Sequence, residues 1–193
     1  MDNAAASQWI RSVKTKDVAA LTGDFEEVVR TCQPRIFRFA LASLRDRDAA
    51  QTITQDCFLK AFQARDRFRH DCSVETWLMR IAINLVRDHA RNRRWQFWRR
   101  AEQTAKPVDG LRNWLSDGRL SPEAETSLRE RVAAIWDAAG SLPERQRTVF
   151  LLRFVEDMDL LDIAAATGMR EGTVKSHLFR ALHTVRERIG AST

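Results

Sequence analysis

The sequence is poor in residues that interrupt helices. Its 193 residues include only seven glycines and four prolines, and no segment sustains the alternation of a β-strand. Long segments instead repeat apolar residues with the helical period of about 3.6 residues. The sequence therefore predicts an all-α fold, with a length that suits one large or two small helical domains.

Features of secreted and membrane proteins are also missing. The three cysteines, Cys32, Cys57 and Cys72, are odd in number and widely spaced, which argues against a disulfide framework and for a reducing compartment. No run approaches the roughly 20 apolar residues of a membrane-spanning helix. The N-terminus lacks the basic start and apolar run of a secretory signal. We therefore expect a cytoplasmic protein with no membrane insertion.

Signatures of catalysis and of metal binding are absent from the sequence. It contains no Gly-rich phosphate loop, no HExxH and no paired cysteines at metal-ligand spacing. His70 and Cys72 form the only near-cluster, and two ligands without a second pair make a poor zinc site. We expect no catalytic residue, no metal and no cofactor; an enzyme that uses the His70 and Cys72 region is the weaker alternative.

Positive charge is in excess. Lysine and arginine number 32 against 26 acidic residues, a formal net charge of +6. This balance favours nucleic acid or another acidic surface as partner, with a solvated basic surface as the alternative. One set of residues recurs at steps of four, three, four and three, on one side of a single expected helix: Arg80, Asn84, Arg87, Arg91 and Arg94. A stripe of positive charges with an embedded Asn favours a surface that binds a polyanion over an ordinary solvent-exposed side of a helix.

Residues 159–188 have the pattern of a helix-turn-helix. Asp159 is a candidate N-cap for a short helix, Gly168 supplies the turn, and a longer helix follows. Polar, basic and aromatic residues mark the expected DNA-facing side of this second helix: Thr173, Lys175, Ser176, His177, Phe179 and Arg180. Phe179 either touches a thymine methyl or belongs to the core. We expect major-groove readout, with Arg180 as a cationic donor to guanine edges or phosphates.

Composition divides the chain into four parts. We expect an N-terminal extension (1–23), a helical domain (24–95), a flexible linker (96–121) and a second helical domain (122–190) that contains the helix-turn-helix. Trp95, Phe97 and Trp98 interleave with basic residues where the linker begins. They either stack on bases or cover the end of the preceding helix.

Two blocks of motifs together resemble a known family. The first block holds AQTITQDCFLKAF (50–62), DRFR (66–69), TWL (76–78), Ile81-Ala82, Asn84, Asp88 and Arg91. The second holds LPE (142–144), FLLR (150–153), Ile163-Ala164 and GTVKS (172–176). They resemble regions 2 and 4 of sigma-70-type factors of the extracytoplasmic-function group.

The resemblance implies that the chain binds core RNA polymerase and directs it to promoters. Gln55, Asp56 and Phe58 match the helix that docks on the polymerase clamp coiled coil. Asn84 and the loop at 68–73, with Phe68 and His70, match the part that reads the melted downstream (−10) element; the arginines of the stripe (Arg80, Arg87 and Arg91) are assigned to the same surface.

For the second block, the resemblance implies that the recognition helix reads the upstream (−35) element and that region 4 contacts the polymerase flap. It also implies an anti-sigma partner. His177 stands where the family usually has Arg, Asp157 where it has Gly, and Leu160 where it has Tyr. The competing hypothesis is a free-standing helix-turn-helix regulator, which usually binds DNA as a dimer.

Overall fold

A computed structural model describes residues 25–99 and 122–190, and within them the regular elements are helices. They are α1 (Phe25–Leu44), α2 (Arg47–Ala64), a 3-10 turn (Arg65–Arg67), α3 (Val74–Arg99), α4 (Pro122–Gly140), α5 (Glu144–Phe154), α6 (Leu160–Thr167) and α7 (Glu171–Gly190). The all-α expectation is confirmed. The expected N-terminal extension lies outside the described residues, as does the expected linker except for 96–99, which continue α3.

Side-chain caps fix where two of these helices, α2 and α3, begin. The Asp46 carboxylate accepts a hydrogen bond of 3.0 Å from the Ala49 amide at the start of α2. The Ser73 hydroxyl accepts one of 3.1 Å from the Thr76 amide at the start of α3. Such caps satisfy amides that have no partner inside the helix, and each contributes about 1 kcal/mol.

Helices α1, α2 and α3 pack together as an N-terminal bundle (residues 25–99). Its core is apolar, with Ile36, Phe39, Leu41, Ala61 and Leu78 almost fully buried. The buried positions of α3 recur with the helical period, which leaves the opposite side of the same helix free to carry the arginines.

Helices α4 to α7 form a C-terminal bundle (residues 122–190), in which α5 and α7 make the main pairing. Val149, Leu152, Ile163, Val174 and Ala181 are buried at its centre. The two bundles touch: α3 packs along α6, and α1 lies against α5. The sequence contains no local signal for this contact between the bundles.

Candidate nucleic-acid interface

The helix-turn-helix is built from α6, a turn at Gly168 and α7. Asp159 caps α6 by accepting a hydrogen bond of 2.7 Å from the Asp162 amide. Gly168 ends the helix with φ +71°, a left-handed conformation that glycine adopts without steric cost, and its amide bonds to the Ala164 carbonyl. Both the cap and the turn agree with the sequence prediction.

Helix α7 separates an apolar side from a polar one. Val174, Ala181 and Val185 are buried against the rest of the bundle. The opposite side exposes the expected contact residues Thr173, Lys175, Ser176, Phe179 and Arg180. A helix with one buried side and one exposed polar side can enter a major groove without unfolding.

Phe179 and Lys175 have well-defined surroundings on that side. The Phe179 ring is 71% exposed, which excludes the core alternative. Lys175 pairs with Glu171 one turn earlier at 2.6 Å, an exposed pair worth a few tenths of a kcal/mol. The lysine is therefore available to a phosphate at little cost.

His177 differs from its neighbours on α7. Its ring is half-buried, and its Nδ1 atom is buried with no hydrogen-bond partner among the described residues. Burial lowers the pKa of His177, and the charges of Arg180 and Arg145 lower it further. A pKa lowered from the ordinary value of about 6.5 favours the neutral imidazole at pH 7, which adds no charge to the exposed side of α7.

The arginine stripe of α3 is exposed but not free of partners. Arg80, Asn84, Arg87 and Arg91 all lie on the solvent side of the helix. Arg91 pairs with Asp88 at 2.8 Å, and the Asn84 carbonyl lies 3.5 Å from an Arg87 nitrogen. The Arg94 side chain is not among those that the structure describes. Asn84 is thus the neutral, exposed centre of a basic surface.

The loop before α3 places His70 and Phe68 differently. Phe68 is buried, with its ring centroid 5.0 Å from that of Trp77 and 4.6 Å from that of His70. His70 is exposed and has φ 58°. Phe68 was expected to contact DNA, but here its ring supports the loop from beneath, because stacking on Trp77 removes its apolar surface from water. His70 remains accessible.

Helix α2 carries the expected polymerase-contact residues, and one of them is buried. Gln55 is exposed and Asp56 is half-exposed, but the Phe58 ring is 8% exposed and belongs to the core. Phe58 offers little surface to a partner in this conformation. The exposed apolar residues of the same helix are Leu59, at 57%, and Phe62, at 47%.

The sequence motifs did not identify Leu59 or Phe62 as exposed apolar residues of α2. Phe62 packs edge-on against Phe25, with ring centroids 5.3 Å apart, and the Arg65 guanidinium lies over its other surface. Successive side chains in a helix point about 100° apart, so Leu59 lies on the side of α2 opposite the buried residues Ala50 and Ala61. The helical period could therefore have identified Leu59.

Arginines of the N-terminal bundle reach acceptors of the C-terminal bundle. We call this set of contacts the arginine seam: Arg35 and Arg38 with Glu156, Arg45 with Asp137 and the Trp136 carbonyl, Arg80 with the Ala165 carbonyl, and Arg87 with Glu144. Two members, Arg80 and Arg87, are among the residues expected to contact DNA.

Glu156 lies at the centre of the arginine seam. Its side chain is fully buried, at 0% exposure. Arg38 donates to both carboxylate oxygens, at 2.9 and 2.8 Å, and Arg35 donates to one of them at 3.3 Å and to the Glu156 carbonyl at 2.9 Å. This fork-to-fork geometry is the strong form of an arginine–carboxylate pair.

A further polar contact joins α3 to α6. The Thr76 hydroxyl donates a hydrogen bond of 3.1 Å to the Asp162 carboxylate. Burial raises the pKa of Asp162, and the nearby negative charge of Asp159 adds to this. A cavity of about 240 Å³ opens here between the bundles, lined by Arg35, Glu75, Asp159 and Asp162 among others.

Neither a metal centre nor a membrane span emerges from the described residues. No group of three or more His, Cys, Asp or Glu side chains within 25–99 and 122–190 is placed to hold a metal ion. In the same part of the chain, none of the helices has the length and apolar character needed to cross a membrane.

Two sections of the chain match family models. Residues 28–96 match the model described as Sigma-70 region 2, and residues 133–184 match the one described as Sigma-70, region 4. The first match covers most of the N-terminal bundle, and the second covers α5, α6 and most of α7.

Individual relatives agree with these matches. The RNA polymerase sigma-H factor of Pseudomonas aeruginosa is 34% identical over 165 residues, covering 83% of each chain. The ECF RNA polymerase sigma factor SigW of Bacillus subtilis is 28% identical over 183 residues, covering 93% of this chain and 94% of that one. The sigma factor RpoE of Bartonella quintana, solved in complex with the anti-sigma factor NepR, has a similar fold with a TM-score of 0.70 at 22% identity, covering 88% of this chain and 99% of that one.

Proposed function

Because the chain belongs to the RNA polymerase sigma factors of the extracytoplasmic-function group, which direct promoter-specific transcription initiation, we propose how its two bundles divide that task. The N-terminal bundle, which holds region 2, reads the −10 element. The C-terminal bundle, which holds region 4, reads the −35 element. The observation that carries this division is the presence of two separate basic surfaces, one on α3 and one on α7.

For the −10 element, Asn84 is the proposed base reader. Its exposed amide offers both a donor and an acceptor, which suits the edge of an unstacked base. Arg80, Arg87 and Arg91 surround it and attract phosphates without reading sequence. His70 borders this surface, and Phe68 holds the loop that carries His70.

For the −35 element, the exposed side of α7 is the proposed reader. Arg180 has the fork geometry that pairs with two acceptors of guanine, a contact worth about 1–3 kcal/mol of discrimination. Phe179 is exposed enough to contact a thymine methyl. The hydroxyl of Ser176 donates to the Gly172 carbonyl at 2.9 Å, so it remains available as an acceptor. His177 takes part as a neutral group.

Core RNA polymerase is the proposed partner of α2. Gln55 and Asp56 supply polar contacts to the clamp coiled coil, and Leu59 and Phe62 supply the exposed apolar surface beside them. Apolar residues surrounded by polar ones are typical of the centre of a binding surface. The C-terminal bundle is proposed to contact the polymerase flap.

An anti-sigma factor is the proposed regulator, since the RpoE relative was solved in complex with one. Because core polymerase and promoter DNA are cytoplasmic, the proposed site of action is the cytoplasm. The proposed role includes no catalysis by this chain and no cofactor, because the polymerase performs the chemistry of transcription.

Co-elution with core polymerase separates this proposal from the free-standing regulator. We expect the protein to co-elute with core enzyme as a one-to-one complex and to bind a promoter duplex tightly only in that complex. A dimer that binds the same duplex tightly without polymerase would support the free-standing regulator and contradict the proposal.

A further inference from the structure

We propose that Glu156 locks the protein in a closed state in which region 4 occupies arginines that region 2 needs for promoter DNA. The lock is the buried carboxylate of Glu156, which pairs with Arg35 and Arg38. These arginines precede Glu156 by 121 and 118 residues in the sequence. The link to promoter binding rests on the proposed function, whereas the closed state itself does not.

Burial of Glu156 depends on the contact between the bundles. Glu156 belongs to the turn that links α5 to α6, and the side-chain donors to its carboxylate both come from α1. A buried carboxylate without its cationic partners is strongly destabilised. Loss of either partner therefore favours separation of the bundles, which returns the carboxylate to water.

Arg80 and Arg87 connect the lock to the promoter surface. Arg80 donates to the Ala165 carbonyl in the last turn of α6, and Arg87 lies 3.3 Å from Glu144 in the first turn of α5. The Glu144 carboxylate carries a negative charge, and the Ala165 carbonyl, near the C-terminal end of a helix, carries a partial negative charge. Region 4 thus offers these two arginines the same kind of group as a phosphate would.

The closed state excludes simultaneous reading of both elements. The −10 and −35 elements are centred about 25 base pairs apart, or about 85 Å along B-DNA at 3.4 Å per base pair. In this structure Thr76 of α3 donates directly to Asp162 of α6, in the first helix of the helix-turn-helix. The bundles must therefore separate before both surfaces meet promoter DNA.

Small-angle X-ray scattering of the full chain, free of polymerase and DNA, tests the closed state. We expect Glu156→Gln to increase the radius of gyration and to raise the open fraction at least about tenfold, since breaking a buried pair costs more than a surface one. Asp157→Asn is the matched control, because it removes the neighbouring exposed carboxylate and leaves the Glu156 pairs intact. We expect it to be as compact as the wild type.

Arg38→Gln removes the same interaction from the other bundle. A local folding defect near Glu156 would not be shared by a variant in α1. The two variants must therefore increase the radius of gyration by similar amounts, and the double variant must add little to either increase. A wild-type chain that is already extended, or variants at both positions that stay as compact as the wild type, would overturn the closed state.

The consequence for polymerase is tested separately. A closed state lowers the apparent affinity for core enzyme in proportion to the fraction that is open. We expect Glu156→Gln to bind core polymerase at least about tenfold more tightly than Asp157→Asn. A larger radius of gyration for Glu156→Gln without tighter binding to core polymerase would contradict the inhibitory role while leaving the closed state established.

Discussion

Arg80 of α3 donates two hydrogen bonds, of 3.1 and 2.5 Å, to the backbone carbonyl of Ala165 near the end of α6. A cation is stabilised at the C-terminal end of a helix, where backbone carbonyls lack partners. The guanidinium expected to meet a promoter phosphate therefore meets a helix end instead. If Arg80 contacts the promoter as proposed, this internal contact must be exchanged for one with DNA.

We expect Asn84→Ala and Arg180→Ala to impair different steps of initiation. Asn84→Ala removes an amide from the −10 surface and should reduce open-complex formation while leaving binding of the −35 duplex intact. Arg180→Ala should weaken binding of the −35 duplex by about 1–3 kcal/mol. Permanganate footprinting of melted DNA and duplex binding by the holoenzyme measure the two steps. Equal effects of both variants on both steps would contradict the division.

Leu59 should contribute to polymerase binding. It is 57% exposed on α2, and we expect Leu59→Ala to weaken binding to the isolated polymerase clamp coiled coil about tenfold, as truncation of a central apolar contact does. Leu161→Ala is the matched control, since Leu161 is 66% exposed but belongs to the other bundle. Titration calorimetry should show no loss for the control; equal losses would argue against α2 as the docking helix.

Two glycines of the helix-turn-helix should respond in opposite directions to alanine. Gly168 has φ +71°, so Gly168→Ala should lower the free energy of unfolding by about 1–2 kcal/mol. Gly172 lies in α7, and a Cβ there meets no atom within 4 Å. Gly172→Ala should therefore raise stability by up to about 1 kcal/mol. Urea unfolding of both variants checks this, and similar shifts for the two would be inconsistent with the described turn.

His177 should make stability depend on pH. Because its pKa is lowered in the folded protein, the unfolded chain takes up the proton first as pH falls. Stability is therefore lost as pH falls through about 6.5, the ordinary histidine value. Thermal unfolding between pH 8 and 5 should show a smaller loss for His177→Gln than for the wild type.

His183→Gln is the matched control for that measurement. It removes an exposed histidine from the same helix, so it separates the effect of the half-buried position from the loss of a histidine as such. If the pH dependence of His177→Gln equals that of the wild type, the half-buried, neutral state assigned to His177 is wrong.

Local patterns predicted much of the fold and of the recognition helix. Apolar spacing accounts for the buried side of α7, with Val174, Ala181 and Val185, and the exposed side carries Arg180 as expected. The caps at Ser73 and Asp159 and the turn at Gly168 follow from the preferences of single residues. These features depend on neighbours within about one helical turn.

The arginine seam was not predictable in the same way. Glu156 and Arg38 lie 118 residues apart, and neither carries a local sign of its partner. Phe68 was expected to contact DNA because of the family resemblance, but its ring packs against that of Trp77, and only the packed loop reveals this. By contrast, the pair of Arg91 with Asp88 spans three residues of one helix and could have been predicted.

Asp157 shows how the structure explains a departure from the family pattern. The resemblance identified this position as one where a glycine is usual, and here the backbone has φ 49°. Aspartate is among the residues that tolerate this left-handed conformation, because its short side chain can form local hydrogen bonds. The substitution therefore preserves the turn between α5 and α6.

Run-off transcription with core RNA polymerase tests the central claim most directly. Genomic DNA of the source organism serves as template, with and without this protein, and the 5′ ends of the transcripts are mapped. We expect transcripts from a limited set of start sites that appear only when both components are present, and that are lost with the combined Asn84→Ala and Arg180→Ala variant. Start sites that do not change when the protein is added would contradict its role as a sigma factor.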